Sequence, residues 1–275
     1  MKDIVPESDF AVVFDCAGTL VEMFRATRNV KNKEFISVSD NFELSKGLKH
    51  GGIVIFDVER KIIKEQDPKN CAYNFIKSGK SNLYVPYSNK PMNENDALEL
   101  LKRTEIKMEE FHEVIKNVEK KYPSSIYEVT GFLADIENSD IPFIMSSGGE
   151  LFESTEETVK YIQNLGCDTF ISSGDDYFNL YRVADKISIE KTNVFGHMNP
   201  KDKKKLIRFL QKKYECVFMI GDGLNDLQAL KKSDVGILVS KKDYYTPKKL
   251  KKNADFIVED IAETGSLIKE IIENI

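Results

Sequence analysis

The sequence predicts an α/β protein whose main domain is a doubly wound, mostly parallel sheet, interrupted by a smaller inserted α+β domain. Short apolar runs without polar alternation recur in the second half of the chain, as in strands that are buried on both faces. Helical patterns separate these runs, and strand–helix–strand repetition is typical of a parallel sheet. The stretch that follows the first strand breaks this rhythm, which indicates the insertion.

The main sheet is predicted from five apolar runs with helices between them. The strands are expected at residues 11–14, 141–145, 169–171, 216–220 and 235–239. The helices are expected at residues 154–165, 200–213 and 226–232, with a final amphipathic helix at residues 261–275. Ligands bind such sheets at the carboxyl ends of the strands, so the residues that follow each strand are the candidates for function.

The inserted domain is predicted to span residues 25–125, which leaves residues 1–24 and 126–275 for the main domain. It carries loop signals rich in Gly and Pro, and one apolar run at residues 52–58 that is typical of a strand. The first strand of the main sheet is therefore expected to pair with strands far later in the chain.

A long polar helical pattern in the insertion covers residues 94–121. Asn93 or Asn95 is its expected N-cap, and Pro123 follows its end. The pattern predicts one long helix here.

The composition is that of an ordinary globular protein, with 41% apolar and 31% charged residues among 275. A net charge of −5 argues against a general affinity for nucleic acid or anionic membranes. No apolar run approaches the roughly 18 residues of a membrane span, and residues 1–7 lack the pattern of a signal peptide. The four cysteines form no C-x-x-C pair, so we expect a reduced, cytoplasmic protein without structural zinc.

Asp15 directly follows the first predicted strand, in the sequence Phe14-Asp15-Cys16-Ala17-Gly18-Thr19-Leu20. A carboxylate at this position can attack phosphorus and form an acyl phosphate. Gly18 permits a sharp turn, and the amides that follow can hold anionic oxygens. Taken alone, an Asp after a strand is as often only a turn or cap residue.

Polar clusters also follow three later predicted strands or begin the helices after them. Ser172-Ser173-Gly174-Asp175 offers hydroxyls and amides to a phosphoryl oxygen, although a simple turn also explains it. Lys203 lies in the first turn of a helix that begins at Pro200, where a cation opposes the helix dipole unless it offsets negative charge. The sequence 221–226, Gly-Asp-Gly-Leu-Asn-Asp, supplies the oxygen ligands that Mg²⁺ prefers.

These clusters together resemble the haloacid dehalogenase-like (HAD) superfamily, and within it the phosphorylation domain of P-type ATPases. The sequence 15–20 is similar to their D-K-T-G-T-L signature, and 169–175 to their strand ending in T-G-D. Residues 200–203 resemble P-x-x-K, and residues 221–237 resemble G-D-G-x-N-D followed by A-D-V-G-I. The resemblance implies a Rossmann-like three-layer core with an inserted cap domain, and a hydrolase that cleaves phosphoric ester or anhydride bonds.

The resemblance also implies roles for individual residues. Asp15 would be the phosphorylated nucleophile, with Ser173 binding the transferred phosphoryl group and Lys203 neutralising it. The Mg²⁺ ligands would be Asp222, the Asp15 carboxylate and the Ala17 carbonyl, with support from Asp226. Contacts to the substrate would come from Gly18, Thr19, Gly174 and Asn225. Ser146 and Ser147 also follow an apolar run and compete for the Ser173 role.

Two departures from the family pattern bear on the expected reaction. Most HAD phosphatases carry a second Asp two residues after the nucleophile as general acid and base, and Ala17 occupies that position here. General acid catalysis is typically worth about 10²–10⁴-fold, so good leaving groups are expected to be favoured. There is also no membrane span, so a pump is not expected. The expected partner is a small phosphorylated metabolite or a nucleotide, with neither nucleic acid nor membrane.

Two alternatives stay open at this point. The pattern Asp15-x-Ala17-Gly18-Thr19 is also similar to phosphonoacetaldehyde hydrolase, which cleaves a carbon–phosphorus bond through a Schiff base on a cap lysine. By position alone, the candidate lysines are Lys31, Lys33, Lys46 and Lys49. A phosphate-binding module with little turnover is the other alternative, motivated by the missing acid at Ala17. The sequence assigns neither the substrate nor the oligomeric state.

Overall fold

A computed structural model describes residues 4–36, 41–242 and 246–275 of the chain. The strands are β1 (Phe10–Phe14), β2 (Val21–Asn29), β3 (Phe35–Ile36), β4 (Gly51–Asp57), β5 (Asn82–Ser88), β6 (Tyr127–Asp135), β7 (Asp140–Leu151), β8 (Cys167–Ser172), β9 (Val194–Phe195), β10 (Cys216–Gly221), β11 (Val235–Val239) and β12 (Phe256–Val258). The helices are α1 (Asn41–Gly47), α2 (Arg60–Lys64), α3 (Ala72–Lys77), α4 (Glu94–Thr104), α5 (Met108–Lys121), α6 (Thr155–Asn164), α7 (Tyr177–Lys186), α8 (Pro200–Leu210), α9 (Leu227–Leu230), α10 (Lys248–Lys251) and α11 (Ala262–Ile272). Residues 1–3, which entered the prediction about a signal peptide, lie outside the described residues.

The chain divides into two compact units. The discontinuous unit comprises the residues up to 23 together with 150–275, and the inserted unit comprises residues 24–149. The sequence placed the second boundary at 125/126, so residues 126–149 belong to the inserted unit and not, as expected, to the main domain. The reason is strand pairing, because β6 pairs with β4 of the insertion.

The discontinuous unit contains a parallel sheet in the order β12-β11-β10-β1-β8-β9. Four of the five predicted runs are strands of this sheet, and the predicted α/β class with a parallel sheet is confirmed. Val13 and Phe170 of the sheet share one core with Leu206 and Ile207 of α8. Among the described residues, no helix combines the length and the hydropathy that a membrane span requires.

Residues 141–145 form a strand, as predicted, but their predicted place in the parallel sheet is wrong. These residues belong to β7, which pairs antiparallel with β6 and lies in the other sheet of the protein. Ile144 packs in the core that contains the helices α4 and α5, whereas its neighbour Met145 packs in a second core that includes Leu44 of α1. Because both faces of this antiparallel sheet are covered, the run lacks polar alternation and is not distinguishable by pattern from a parallel strand.

The inserted unit is built on a sheet in the order β3-β2-β7-β6-β4-β5. The predicted strand at residues 52–58 is present as β4. Phe56 centres the core of the unit, since its ring lies 4.7 Å from that of Phe111, 5.7 Å from that of Phe75 and 6.3 Å from that of Phe132. The inserted unit therefore has its own hydrophobic core.

The single helix predicted at residues 94–121 is two helices, α4 and α5. Asn93 is the N-cap of α4, as expected, and forms a reciprocal capping box with Asp96. The helix ends at Glu105, which has a left-handed backbone with φ of 49°. No Gly or Pro marks this break in the sequence, so the helical pattern alone did not reveal it.

Candidate active site

Asp15 lies at the carboxyl end of β1, between two strands whose following loops carry the other motifs. β1 pairs with β10 on one side and with β8 on the other. The amide of Asp15 continues the ladder by donating to the carbonyl of Ile220, at 2.9 Å. Because parallel strands end at the same edge, this order brings the Asp15 turn, the β8 loop and the β10 loop together.

Lys203 reaches Asp15 from the first turn of α8. Its ammonium donates to Oδ1 of Asp15 at 2.5 Å and to Oδ1 of Asp226 at 2.7 Å. The Lys203 side chain is 0% exposed. It is buried because it lies one turn before Leu206 and Ile207, which hold α8 on the sheet. Residues 188 positions apart in the chain thus form a buried ion pair.

The loop after β10 places two further carboxylates beside Asp15. Oxygens of Asp15, Asp222 and Asp226 all lie within 4.8 Å of one another. Asp226 is fully buried, and both of its oxygens accept hydrogen bonds, one from Lys203 and one from the Gly223 amide at 3.1 Å. Asp226 therefore holds Lys203 and the loop in place.

Asp222 is held by the turn that follows Asp15. The hydroxyl of Thr19 donates to Oδ1 of Asp222 at 3.2 Å. Gly18 has a φ of +93°, and a Cβ built on it would lie 2.2 Å from Oδ2 of Asp222. Only glycine tolerates both this backbone and this approach. The geometry thus gives Gly18 and Thr19 a part in positioning Asp222, which sequence reasoning missed because the two motifs are about 200 residues apart (|i−j| = 203).

Gly18→Ala is expected to displace Asp222 and to abolish most of the turnover. Gly166→Ala is the matched control, because Gly166 has a similar φ of +81° but has nothing within 4 Å of its Cβ position. The control should lose about 1 kcal/mol of stability from backbone strain alone. Urea unfolding measures the effect of backbone strain in both variants, and activity assays measure the effect of the lost contact with Asp222. Equal turnover in the two variants would contradict the role assigned to Gly18.

The amides after Asp15 are less available than expected. Gly18 donates its amide to the carbonyl of Val21, and the amides of Thr19, Leu20 and Val21 donate to the carbonyl of Cys16. These bonds close the turn and leave the amides of Gly18 and Thr19 no proton for a phosphate. The carbonyl of Ala17, in contrast, receives no hydrogen bond from the described residues.

The loop after β8 holds Ser173, which is buried and follows the strand next to β1. Its hydroxyl donates to Oδ2 of Asp175 at 2.7 Å, a partner that the sequence did not predict. Gly174 and Asn225 are exposed. The structure thus brings the β8 and β10 loops to the edge where Asp15 lies. The substrate contacts of Ser173, Gly174 and Asn225 stay a prediction.

The competing candidates lie in the inserted unit. Ser146 hydrogen-bonds Thr130 and the carbonyl of Val129 within the antiparallel sheet, so it does not follow a strand of the parallel sheet. Ser147 neighbours it on β7. The four lysines considered for a Schiff base, Lys31, Lys33, Lys46 and Lys49, are all exposed, and the last three pair with carboxylates. A Schiff-base lysine needs burial to lose its proton, so this geometry does not favour them.

The carboxylates of the cluster outnumber its one ammonium, so the site carries an excess of negative charge when it is ionised. Burial and the Asp226 charge raise the pKa of Asp15, while Lys203 lowers it less. Burial, followed by the charge of Asp226, raises the pKa of Asp222 to about 7. Burial alone would lower the pKa of Lys203, but the charges of Asp15 and Asp226 outweigh it and raise that pKa. Three carboxylates and one ammonium leave two negative charges when ionised.

The donor set fits a hard divalent cation. Oδ2 of Asp15 and Oδ2 of Asp222 accept no hydrogen bond from the described part of the chain, and neither does the carbonyl of Ala17. One or two carboxylates completed by carbonyl, water and phosphate oxygens are typical of Mg²⁺ sites. Both oxygens of Asp226 accept hydrogen bonds, from Lys203 and from the Gly223 amide, so its predicted support of the metal stays a prediction beside its bond to Lys203.

The site thus combines a parallel sheet with a buried carboxylate, an ammonium and an acidic loop at its carboxyl edge. The chain belongs to the haloacid dehalogenase-like hydrolases, since the model of that family matches residues 11–234. The expected membership, drawn from the motifs, is confirmed.

Two relatives and one solved structure show how far the similarity extends. The chain is 26% identical over 263 residues to a soluble P-type ATPase-like phosphatase of Methanocaldococcus jannaschii, covering 95% of this chain and 94% of that protein. It is 36% identical over 89 residues to a copper-transporting ATPase of Helicobacter pylori, which is 32% of this chain and only 12% of that protein. The catalytic domain of the CPx-ATPase CopB-B is 16% identical, with a TM-score of 0.47 over 96% of this chain and 89% of that domain.

Proposed function

We propose that the protein is a Mg²⁺-dependent phosphatase that works through an aspartyl-phosphate on Asp15. The observation that carries this proposal is the position of Asp15. One of its carboxylate oxygens accepts a hydrogen bond from Lys203, and the other accepts none from the described residues. The Asp15 carboxylate also lies within 4.8 Å of the Asp222 carboxylate. The relative that matches the chain along 95% of its length is named a phosphatase, which supports the same reaction.

The reaction proceeds in two steps at the Asp15 carboxylate. First, Oδ2 of Asp15 attacks phosphorus, a new oxygen–phosphorus bond forms, and the bond to the leaving group breaks with its electron pair. Water then attacks the phosphorus of the acyl phosphate, which releases inorganic phosphate and restores the carboxylate. Lys203 holds the nucleophile and neutralises charge on the phosphoryl group, and a bound Mg²⁺ would neutralise the rest.

The leaving group is expected to depart without a proton from residue 17. Ala17 offers only a methyl group where a general acid would stand, so we propose substrates whose leaving groups are already stable as anions. Acyl phosphates and nucleotide γ-phosphates have this property. We assign the protein to a reducing compartment such as the cytoplasm, in keeping with its four free cysteines.

Turnover of a panel of phosphates tests the proposed function. The panel contains acetyl phosphate, p-nitrophenyl phosphate, ATP and a sugar phosphate, each assayed with Mg²⁺ and with a chelator. We expect Mg²⁺-dependent release of phosphate and an acid-stable, hydroxylamine-sensitive phosphoprotein, as an acyl phosphate requires. Tight binding of a phosphoryl mimic without any release would instead favour a binding module, the alternative raised by Ala17.

Ala17→Asp is expected to speed the hydrolysis of poor leaving groups. A carboxyl group at this position can donate a proton to an alkoxide, which is typically worth about 10²–10⁴-fold, and part of that gain should appear with a sugar phosphate. Acetyl phosphate turnover should change little, because its leaving group needs no proton. Ala17→Asn is the control, as it has the same size without the acid. Equal rates of the two variants with the sugar phosphate would show that a carboxyl group at position 17 donates no proton to the leaving group.

Mg²⁺ is expected to stabilise the protein much more at about pH 8 than at about pH 5.5. The pKa of Asp222 is about 7 in the folded protein, against an ordinary value of 3.8. The folded state therefore binds the proton more tightly than the unfolded state, so the free energy of unfolding of the metal-free protein falls as pH rises through this range. Because protons compete with the ion, its affinity should be about 30-fold weaker at the lower pH.

Thermal melting in EDTA and in Mg²⁺ at the two pH values checks this prediction. Asp222→Asn is the matched control, since it keeps the shape of the side chain and removes the titrating group. Its melting temperature should respond little to Mg²⁺ at either pH. A Mg²⁺ response of the wild type that is the same at both pH values would contradict the prediction.

A further inference from the structure

Ser172, the last residue of β8, has a buried hydroxyl that the proposed mechanism does not use. The residue is 1% exposed, and its Oγ has no hydrogen-bond partner among the described residues. A buried hydroxyl without a partner costs free energy and is uncommon in native structures. The neighbouring Ser173 is different, because its hydroxyl already donates to Asp175.

The strand register places Ser172 beside Asp15. Phe14 of β1 stands opposite Ile171 of β8, so the next pair along the parallel strands is Asp15 and Ser172. Side chains two residues apart on a strand lie on the same face, and the pair two positions earlier is Val13 and Phe170. Val13 and Phe170 share their core with Leu206 and Ile207 of α8. Ser172 thus belongs to the α8 face of the sheet, at its carboxyl edge.

Lys203 reaches the same edge from the same face. It lies three and four residues before Leu206 and Ile207, so its side chain leaves α8 toward the sheet. A lysine ammonium has three protons to donate. In the part of the chain that is described, the Lys203 ammonium has two acceptors, Asp15 and Asp226, and no exposed surface from which water could supply a third.

We infer that the Ser172 hydroxyl is the third acceptor of the Lys203 ammonium and makes Ser172 a positioning residue for this reaction. The Lys203 ammonium is a buried donor with one unused proton, and the Ser172 hydroxyl is a buried acceptor without a partner among the described residues. Both lie at the carboxyl edge of the α8 face of the parallel sheet. Rotation about the Cα–Cβ bond gives the Ser172 hydroxyl three staggered positions, and the inferred contact uses the one that faces this ammonium. Three acceptors then fix the orientation of the ammonium against Asp15, whereas two acceptors would still let it rotate. The catalytic consequence of this inference rests on the proposed function, but the contact itself does not.

The ammonium of Lys203 can be observed directly in ¹⁵N-lysine-labelled protein by NMR, with its signal assigned by its loss in Lys203→Arg. In Ser172→Ala we expect this signal to shift and its proton exchange with water to increase. Ser172→Thr keeps the hydroxyl and should restore both. Ser45→Ala is the matched control, because Ser45 also has a buried Oγ without a partner and lies in α1 of the inserted unit.

The kinetic readout separates positioning from substrate binding. In Ser172→Ala we expect kcat for acetyl phosphate to fall about tenfold, as for the loss of one hydrogen bond to a charged group, with KM unchanged. Ser172→Thr should recover most of kcat, and Ser45→Ala should match the wild type. A raised KM with unchanged kcat would overturn the inference, because the hydroxyl would then bind the phosphoryl group itself. An unchanged ammonium signal in Ser172→Ala would also overturn it. If the wild type turns over no phosphate, the proposed function fails, and the NMR signal still decides the contact.

Discussion

Asp15→Asn is expected to reduce phosphate release by at least about 10⁴-fold and to abolish the phosphoprotein, because an amide oxygen is not a nucleophile toward phosphorus. The substitution keeps the size of the side chain at a fully enclosed position, where Asp15 is 2% exposed. It also removes one of three crowded carboxylates, so the folded protein should remain intact. Phosphate release and acid-quenched labelling from acetyl phosphate are the measurements.

Asp9→Asn is the control for the nucleophile. Asp9 immediately precedes β1, at the opposite end of the strand from Asp15, and it is exposed. This variant should retain the turnover and labelling of the wild type. A labelled Asp15→Asn protein, or equal turnover by the two variants, would remove Asp15 from the mechanism and with it the proposed function.

Lys203→Met is expected to cost about 3–5 kcal/mol of stability, because it leaves Asp15 and Asp226 buried side by side without a counter-charge. Turnover should fall by about 10²–10³-fold, since the phosphoryl group loses the cation that neutralises it. The methionine side chain fills a similar volume, so a cavity does not explain the loss. Urea unfolding at neutral pH without metal gives the stability, and acetyl phosphate hydrolysis gives the turnover.

Lys205→Met is the matched control on the same helix. Lys205 is 64% exposed and pairs with Asp202 at 2.9 Å on the surface. Exposed pairs contribute about 0–1 kcal/mol, so this variant should be nearly as stable and as active as the wild type. A Lys203→Met protein as stable as Lys205→Met would mean that the buried ion pair does not hold the site together.

Much of the site was predictable because its motifs are local. Asp15 follows a short apolar strand, and the sequence 221–226 combines a turn with carboxylates, so both patterns are visible within a few residues. The proximity of these two segments followed from one rule, that the parallel strands of a sheet end at a common edge. The structure places the Lys203 ammonium 2.5 Å from Asp15, in line with the expected meeting of these groups.

Other features depended on contacts that no local pattern contains. The run at residues 141–145 entered the antiparallel sheet because β6 and β7 are adjacent in the chain and pair as neighbours. The bond from Thr19 to Asp222 joins two motifs that lie far apart in the chain, so neither motif alone predicts it. The bond from Lys203 to Asp226 likewise joins two segments that no local pattern connects.

By itself, the sequence determined the α/β class, the family and the residue types of the site, because strand periodicity, turn chemistry and motif order are properties of short segments. Only the tertiary structure decided where the inserted unit ends, which carboxylates hold Lys203, and that the Ser172 hydroxyl has no partner among the described residues. Those outcomes depend on side chains from distant segments competing for the same few hydrogen bonds, and that competition is settled only when the sheet is assembled.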